Sequence, residues 1–202
     1  MLKRLLSPIT PLVRRASAVA MLRLAEQREV LGLILVDLTH GQHASHLFPT
    51  LEAALEMIAD VDSRRLARIR HDVQRVAVMQ SFASAGEFWP HYSAIALEVK
   101  HVEAHTLLSI CMTIVHEATH ARIVRWGVRD SIDRGRLERA CVEQEIMFVR
   151  KVPGSERLIE GALRKLDTQW WVEQDSAHRF HRRLERAGTP KWLQRLLLWL
   201  YY

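Results

Sequence analysis

The sequence predicts an α+β fold in which a small mixed β-sheet packs on helices, with a helical C-terminal half. Short runs rich in branched apolar residues recur early in the chain, at 30–38, 75–81 and 91–99. A stretch with helical periodicity, 49–73, lies between the first two. From His105 onward apolar residues recur at helical spacings without a strand-like run. At 202 residues and 49% hydrophobic content, one domain spanning 1–202 has core enough to need no disulfide framework. Cys111 and Cys141 accordingly read as core residues of a protein in a reducing, cytoplasmic setting.

The first 25 residues, "MLKRLLSPITPLVRRASAVAMLRLA", are basic and apolar and contain no acid. Pro8, Pro11, Arg14 and Arg15 interrupt them, so no hydrophobic stretch reaches signal-peptide length, although the lack of acids resembles a transit peptide. Next, "VLGLILVDL" (30–38) suits a buried strand. "THGQHASH" then places His40, His43 and His46 in an expected exposed polar loop, with a second metal site as the alternative. Residues 49–73 read as one helix with Thr50 as N-cap and Leu51, Leu55 and Ile58 on one stripe. "RVAVMQS" and "HYSAIALEV" read as strands separated by a turn, "SAGEFWP". The "VPGS" at 152–155 punctuates helices. The tail at 190–202 is apolar and aromatic and too short to span a membrane. It is expected to dock on the core, with peripheral membrane contact through Trp192, Trp199, Tyr201 and Tyr202 as the alternative.

The net charge is +6, and it is uneven: the ends are basic and residues 26–120 are acidic on balance. Basic ends suit a nucleic acid or an anionic membrane surface. However, most of the arginine alternates with glutamate at helical spacings, as in "RRLERAG", which reads as a solvated helix face. No zinc-finger spacing, glycine-rich loop or ribonucleoprotein signature is present, so no specific nucleic-acid partner is expected.

Residues 105–126 contain neither proline nor glycine and run to Gly127, a natural C-cap. Leu107, Cys111, Ile114, Ala118 and Ala121 form one apolar stripe, and Leu108, Met112 and Val115 a second beside it. A helix buried on most sides nevertheless carries "HEATH", His116 to His120. Buried histidine and glutamate cost free energy unless paired or metal-bound, so these residues need a reason. Residues four apart lie one turn plus about 40° around the helix, roughly 6 Å along it, so both imidazoles can reach one ion. Glu117 projects about 100° from His116 and is placed to take a proton from a metal-bound water rather than to ligate. The alternative is a pair of hydrogen-bonded core histidines.

The motif resembles that of the zincin metallopeptidases, and among them the gluzincins, in which a glutamate on a second helix completes the zinc site. The likeness is specific over "HEATHARIVRWGVRDSIDRGRLERACVEQE" and general elsewhere. No metzincin continuation follows His120. A zincin-like fold is implied, with an active-site helix at 105–126 and a glutamate helix at 132–151. The strand within 91–99 is implied to be the sheet edge along which a peptide would lie.

The second helix offers Glu138, Glu143 and Glu145. Glu138 and Glu145 share a face, and Glu143 points away. The resemblance makes Glu138, which follows His120 after 17 intervening residues, the first choice for third ligand. Glu145 is the alternative, either as ligand or as a partner of a ligating histidine. Cys141 reads as core, with ligation as its alternative. Tyr92, His91 and His178 are the candidates for oxyanion stabilisation that the resemblance calls for. His178 and His181 otherwise read as a solvated face, and His105, roughly 16 Å along the helix from His116, is too far to share its metal.

The expected function is zinc-dependent hydrolysis of a peptide or protein substrate, with His116, His120 and Glu138 on Zn2+ and Glu117 as general base. The rivals are a metal-binding or structural protein without turnover, and a basic membrane- or nucleic-acid-binding module, whose affinity would fall steeply with salt.

Overall fold

In the computed structural model, which describes residues 25–39, 44–80, 84–128, 131–168 and the helical positions 191 and 194, the apolar run at 30–38 is folded in two. Leu31 and Gly32 both take positive φ, 49° and 76°. A two-residue loop of that kind matches the twist of an antiparallel hairpin. It joins β1, Glu26–Val30, to β2, Leu33–Asp37. The single strand expected there is therefore corrected to a hairpin, because Leu-Gly reverses the chain.

The helix expected at 49–73 is also two. α1, Ala44–Val61, begins upstream of Pro49 because Leu47 and Phe48 are buried on the same stripe as Leu51, Leu55 and Ile58. Thr50 is thus inside a helix rather than capping it, its hydroxyl donating to the His46 carbonyl. His46 is likewise helical, not in a loop, and its ring pairs with Glu103. His40 and His43 lie outside the described residues. α2, Ser63–Asp72, starts afresh at Asp62, whose carboxylate accepts from the Arg65 amide at 3.0 Å and so caps it. That buried carboxylate also accepts from Arg65 Nε and from Lys151 Nζ, tying the break to a residue 89 positions further along the chain.

β3 is Arg75–Met79, β4 Gly86–Trp89 and β5 Ala94–Glu98. The order is β1-β2-β3-β5-β4, with β2-β3 and β3-β5 parallel and both outer pairs antiparallel. Two expectations fail together: the supposed turn at 84–90 is a strand, and it is β4, not the strand within 91–99, that forms this edge of the sheet. Gly86 reads locally as a turn signal, but its reason is tertiary. A β-carbon there would lie 2.7 Å from Thr113 Cγ2 and 3.2 Å from Glu117 Cγ, so only glycine lets this strand approach the helix so closely.

α3, Val99–Ala104, is short; Thr106 then caps α4, Leu107–Arg125, which ends with Gly127 at φ 69°. The two stripes expected on α4 are buried from Cys111 to Ala121, with Leu107 and Leu108 half-covered. One face of α4 packs with α1 on Leu33, Leu35, Val76, Val78, Ile95 and Leu97 of the sheet. Asp133 caps α5, Arg134–Val149. α6, Glu156–Thr168, then folds back so that Ala162, Leu158 and Leu166 meet Val142, Ile146 and Met112. Among the described residues no helix is long and apolar enough to cross a membrane. The N-terminal segment and, apart from Lys191 and Gln194, the 190–202 tail lie outside the described residues.

Candidate metal centre

α4 and α5 lie side by side, and the polar residues of their shared interface converge. His116 Nε2 is 3.1 Å from His120 Nε2 and 3.4 Å from Glu138 Oε2, and His120 Nε2 is 3.9 Å from that same oxygen. Three lone-pair-bearing atoms so close repel one another unless a proton or a cation sits among them. Zinc bonds of roughly 2.0–2.1 Å in tetrahedral directions separate ligand atoms by about 3.3–3.4 Å, and the observed triangle brackets that spacing. Two imidazoles and a carboxylate are a donor set that suits zinc.

The other ring nitrogen of His116 faces away from the triangle. Nδ1 donates to Glu145 Oε1 at 2.5 Å, and Glu145 Oε2 accepts from Lys165 Nζ of α6 at 3.3 Å. Glu145 therefore lies on the opposite side of the His116 ring from Glu138, although both come from one face of α5. Glu143 is exposed.

Charge follows from this geometry. Burial disfavours a charged His116, yet hydrogen bonds to Glu138 and Glu145, with the Glu117 charge, raise its pKa to about 10 in the metal-free protein. Burial would likewise raise both glutamates, but the His116 contact outweighs it and holds Glu138 and Glu145 below the ordinary carboxylate range. Glu117 differs. It is buried against β4, and desolvation lifts its pKa to about 7, with Glu138 and Glu87 adding to the rise and His116 and the Phe88 amide opposing it.

Cys141 Sγ also lies near the two histidines: ligand atoms of His116, His120 and Cys141 fall within 4.8 Å of one another, a cluster able to hold a metal ion. Its thiol is completely buried, and burial with the charges of Glu138, Glu117 and Glu145 pushes its pKa far above the ordinary range. Glu138 is held anionic because its His116 contact outweighs burial, so it is the readier third donor and Cys141 the alternative. Cys111 and Cys141 are both free.

Not every expected site residue is drawn in. Tyr92 packs with Val36 and Ala77 in a separate cluster, and His91 beside it is exposed; neither lines the cavity at the centre. His178 and His181 lie outside the described residues. Conversely, no local spacing signals Lys165, which arrives from α6, 20 residues beyond Glu145, or the Phe88 amide. His101, buried within α3, carries no such signal either: its Nε2 donates to Thr113 Oγ1 at 2.9 Å, since that hydroxyl gives its own proton to the Ser109 carbonyl. An open cavity of about 400 Å³ adjoins the centre, reaching His116, Glu117 and Glu145.

Comparison with protein-family models, with curated proteins and with solved structures finds no match. The resemblance to zincins rests on the motif residues alone.

Proposed function

We propose that the chain is a zinc-dependent metallopeptidase with a zincin-like site. The observation that carries this is the triangle of His116 Nε2, His120 Nε2 and Glu138 Oε2, with a carboxylate of shifted pKa, Glu117, beside it and an open cavity that reaches His116 and Glu117. Zinc held there supplies a Lewis acid and brings the pKa of a coordinated water toward 7. Glu145 orients His116 by accepting from Nδ1, which leaves Nε2 free to ligate. Glu117 accepts the proton of the attacking water and returns it to the leaving nitrogen, a task suited to a group that titrates near neutrality. β4 is the sheet edge nearest Glu117 and offers a line of backbone groups for an extended peptide. The two free, buried cysteines fit a reducing, cytoplasmic setting.

A second reading has one observation in its favour. If Cys141 joins both histidines and Glu138 on the ion, four protein ligands close the coordination sphere, as in structural sites, and no position remains for water.

Glu117→Gln separates the two. On the peptidase reading the variant keeps its zinc, while hydrolysis of a peptide that wild type cleaves falls at least about 100-fold. Full activity in the variant contradicts the mechanism. Loss of zinc on Cys141→Ala, with no peptide cleaved by wild type, favours the closed site.

A further inference from the structure

We propose that the cavity beside the metal centre is an anion-selective subsite that takes a substrate carboxylate close to the bond being cleaved, with Arg157 as its recognising residue. This rests on the peptidase reading and adds a substrate class to it.

The cavity starts at His116 and Glu117, and its walls come from α3, α4, the start of β4 and α6. Beyond the centre itself every ionisable residue lining it is basic: His101, His105, Arg157 and Lys165. Its two carboxylates are already engaged. Glu145 is held by His116 and Lys165, and Glu117 by the Phe88 amide. Lys165 is correspondingly occupied, and His101 is a neutral donor to Thr113. Burial, with smaller contributions from His105 and Lys165, lowers the pKa of His101 to about 4 and keeps it neutral.

Arg157 stands apart from these. It lies in the first turn of α6, exposed, at the rim of the same cavity, and it makes no hydrogen bond or ion pair with any described residue. A guanidinium offers a planar fork of donors that matches a carboxylate in two bonds. Met112 and Leu158 line the cavity as apolar wall and suit the methylene stem of such a ligand. One extended residue spans roughly 3.3–3.6 Å, so a peptide whose scissile bond is at the centre places a carboxylate here within a residue or two of that bond. An acidic side chain and the peptide's own C-terminus are the two sources of that chemistry.

Matched fluorescent peptides test this: Glu against Gln at each position within two residues of the bond, and a C-terminal acid against its amide. Binding is measured by anisotropy to zinc-loaded Glu117→Gln protein, and kcat/KM with wild type. The expected result is about tenfold tighter binding of the acidic member of one pair, and which pair responds identifies the source. Arg157→Gln should reduce that ratio below about twofold, whereas Arg68→Gln, exposed on α2 and outside the cavity lining, leaves it intact. Equal binding within every pair, binding of no peptide, or a ratio indifferent to Arg157→Gln overturns the proposal. The two readings fail separately. An Arg157-dependent preference for acid in binding, with no peptide cleaved, removes the peptidase and keeps the subsite; cleavage without a charge preference does the reverse.

Discussion

His116 holds Glu145 on Nδ1 at 2.5 Å and faces Glu138 with Nε2 at 3.4 Å, so two carboxylates one heptad apart on α5 occupy opposite ends of one imidazole ring. A single face of α5 thus provides both a ligand and the group that orients a ligand, and the two roles predict different losses.

Glu145→Gln keeps a hydrogen-bond acceptor beside Nδ1 but removes its charge. Zinc affinity should fall roughly 10–100-fold without being abolished, the usual loss when such a partner is replaced. Glu138→Gln, which weakens a direct donor, should cost more. Competition with a chromophoric chelator measures both. If Glu145→Gln loses the metal and Glu138→Gln keeps it, the third ligand moves seven residues along the helix.

Gly86→Ala should destabilise the protein by about 1–3 kcal/mol, the scale of forced overpacking. The added carbon meets Thr113 Cγ2 at 2.7 Å, and pushing β4 outward also draws the Phe88 amide away from Glu117. Thr113→Ser removes that methyl and keeps the hydroxyl for His101. Denaturant unfolding of the two single variants and the double should therefore show a smaller cost of Gly86→Ala in the serine background. Strict additivity would mean that the contact between strand and helix is not the cause.

How much of this was legible in the sequence depends on where each signal lies. The buried stripe of α4 was readable because a 3.6-residue period on an unbroken apolar background has one interpretation. The two helix breaks and the hairpin were not, since a run such as "VLGLILVDL" is apolar on either side of Leu31–Gly32 and hides the reversal. Gly86 misled because its glycine answers to a helix 27 residues away, not to a turn. His116, Glu117 and His120 announced themselves by local spacing. Lys165 and Arg157 carry no such signature: only the docking of α6 on α5 brings them to the centre and its cavity.

His101 should make the protein acid-sensitive over a defined window. Its folded pKa, about 4, lies below the unfolded value of about 6.5, so the unfolded chain binds the extra proton between those limits. The stability it confers is complete above pH 6.5 and is lost as pH falls toward 4, by up to about 3 kcal/mol. His101→Gln retains a donor for Thr113 without titrating. The stability difference between wild type and this variant should change with pH inside the window and be flat above it. A difference independent of pH from 4 to 7 would show that His101 is not held neutral by burial.

Zinc content bears on the central claim most directly. Wild type, loaded with zinc and freed of excess by gel filtration without chelator, should carry about one equivalent by mass spectrometry of the metal, and His120→Ala, handled identically, should carry almost none. Less than about a tenth of an equivalent on wild type, or equal zinc on both proteins, would contradict a metal held by His116, His120 and Glu138.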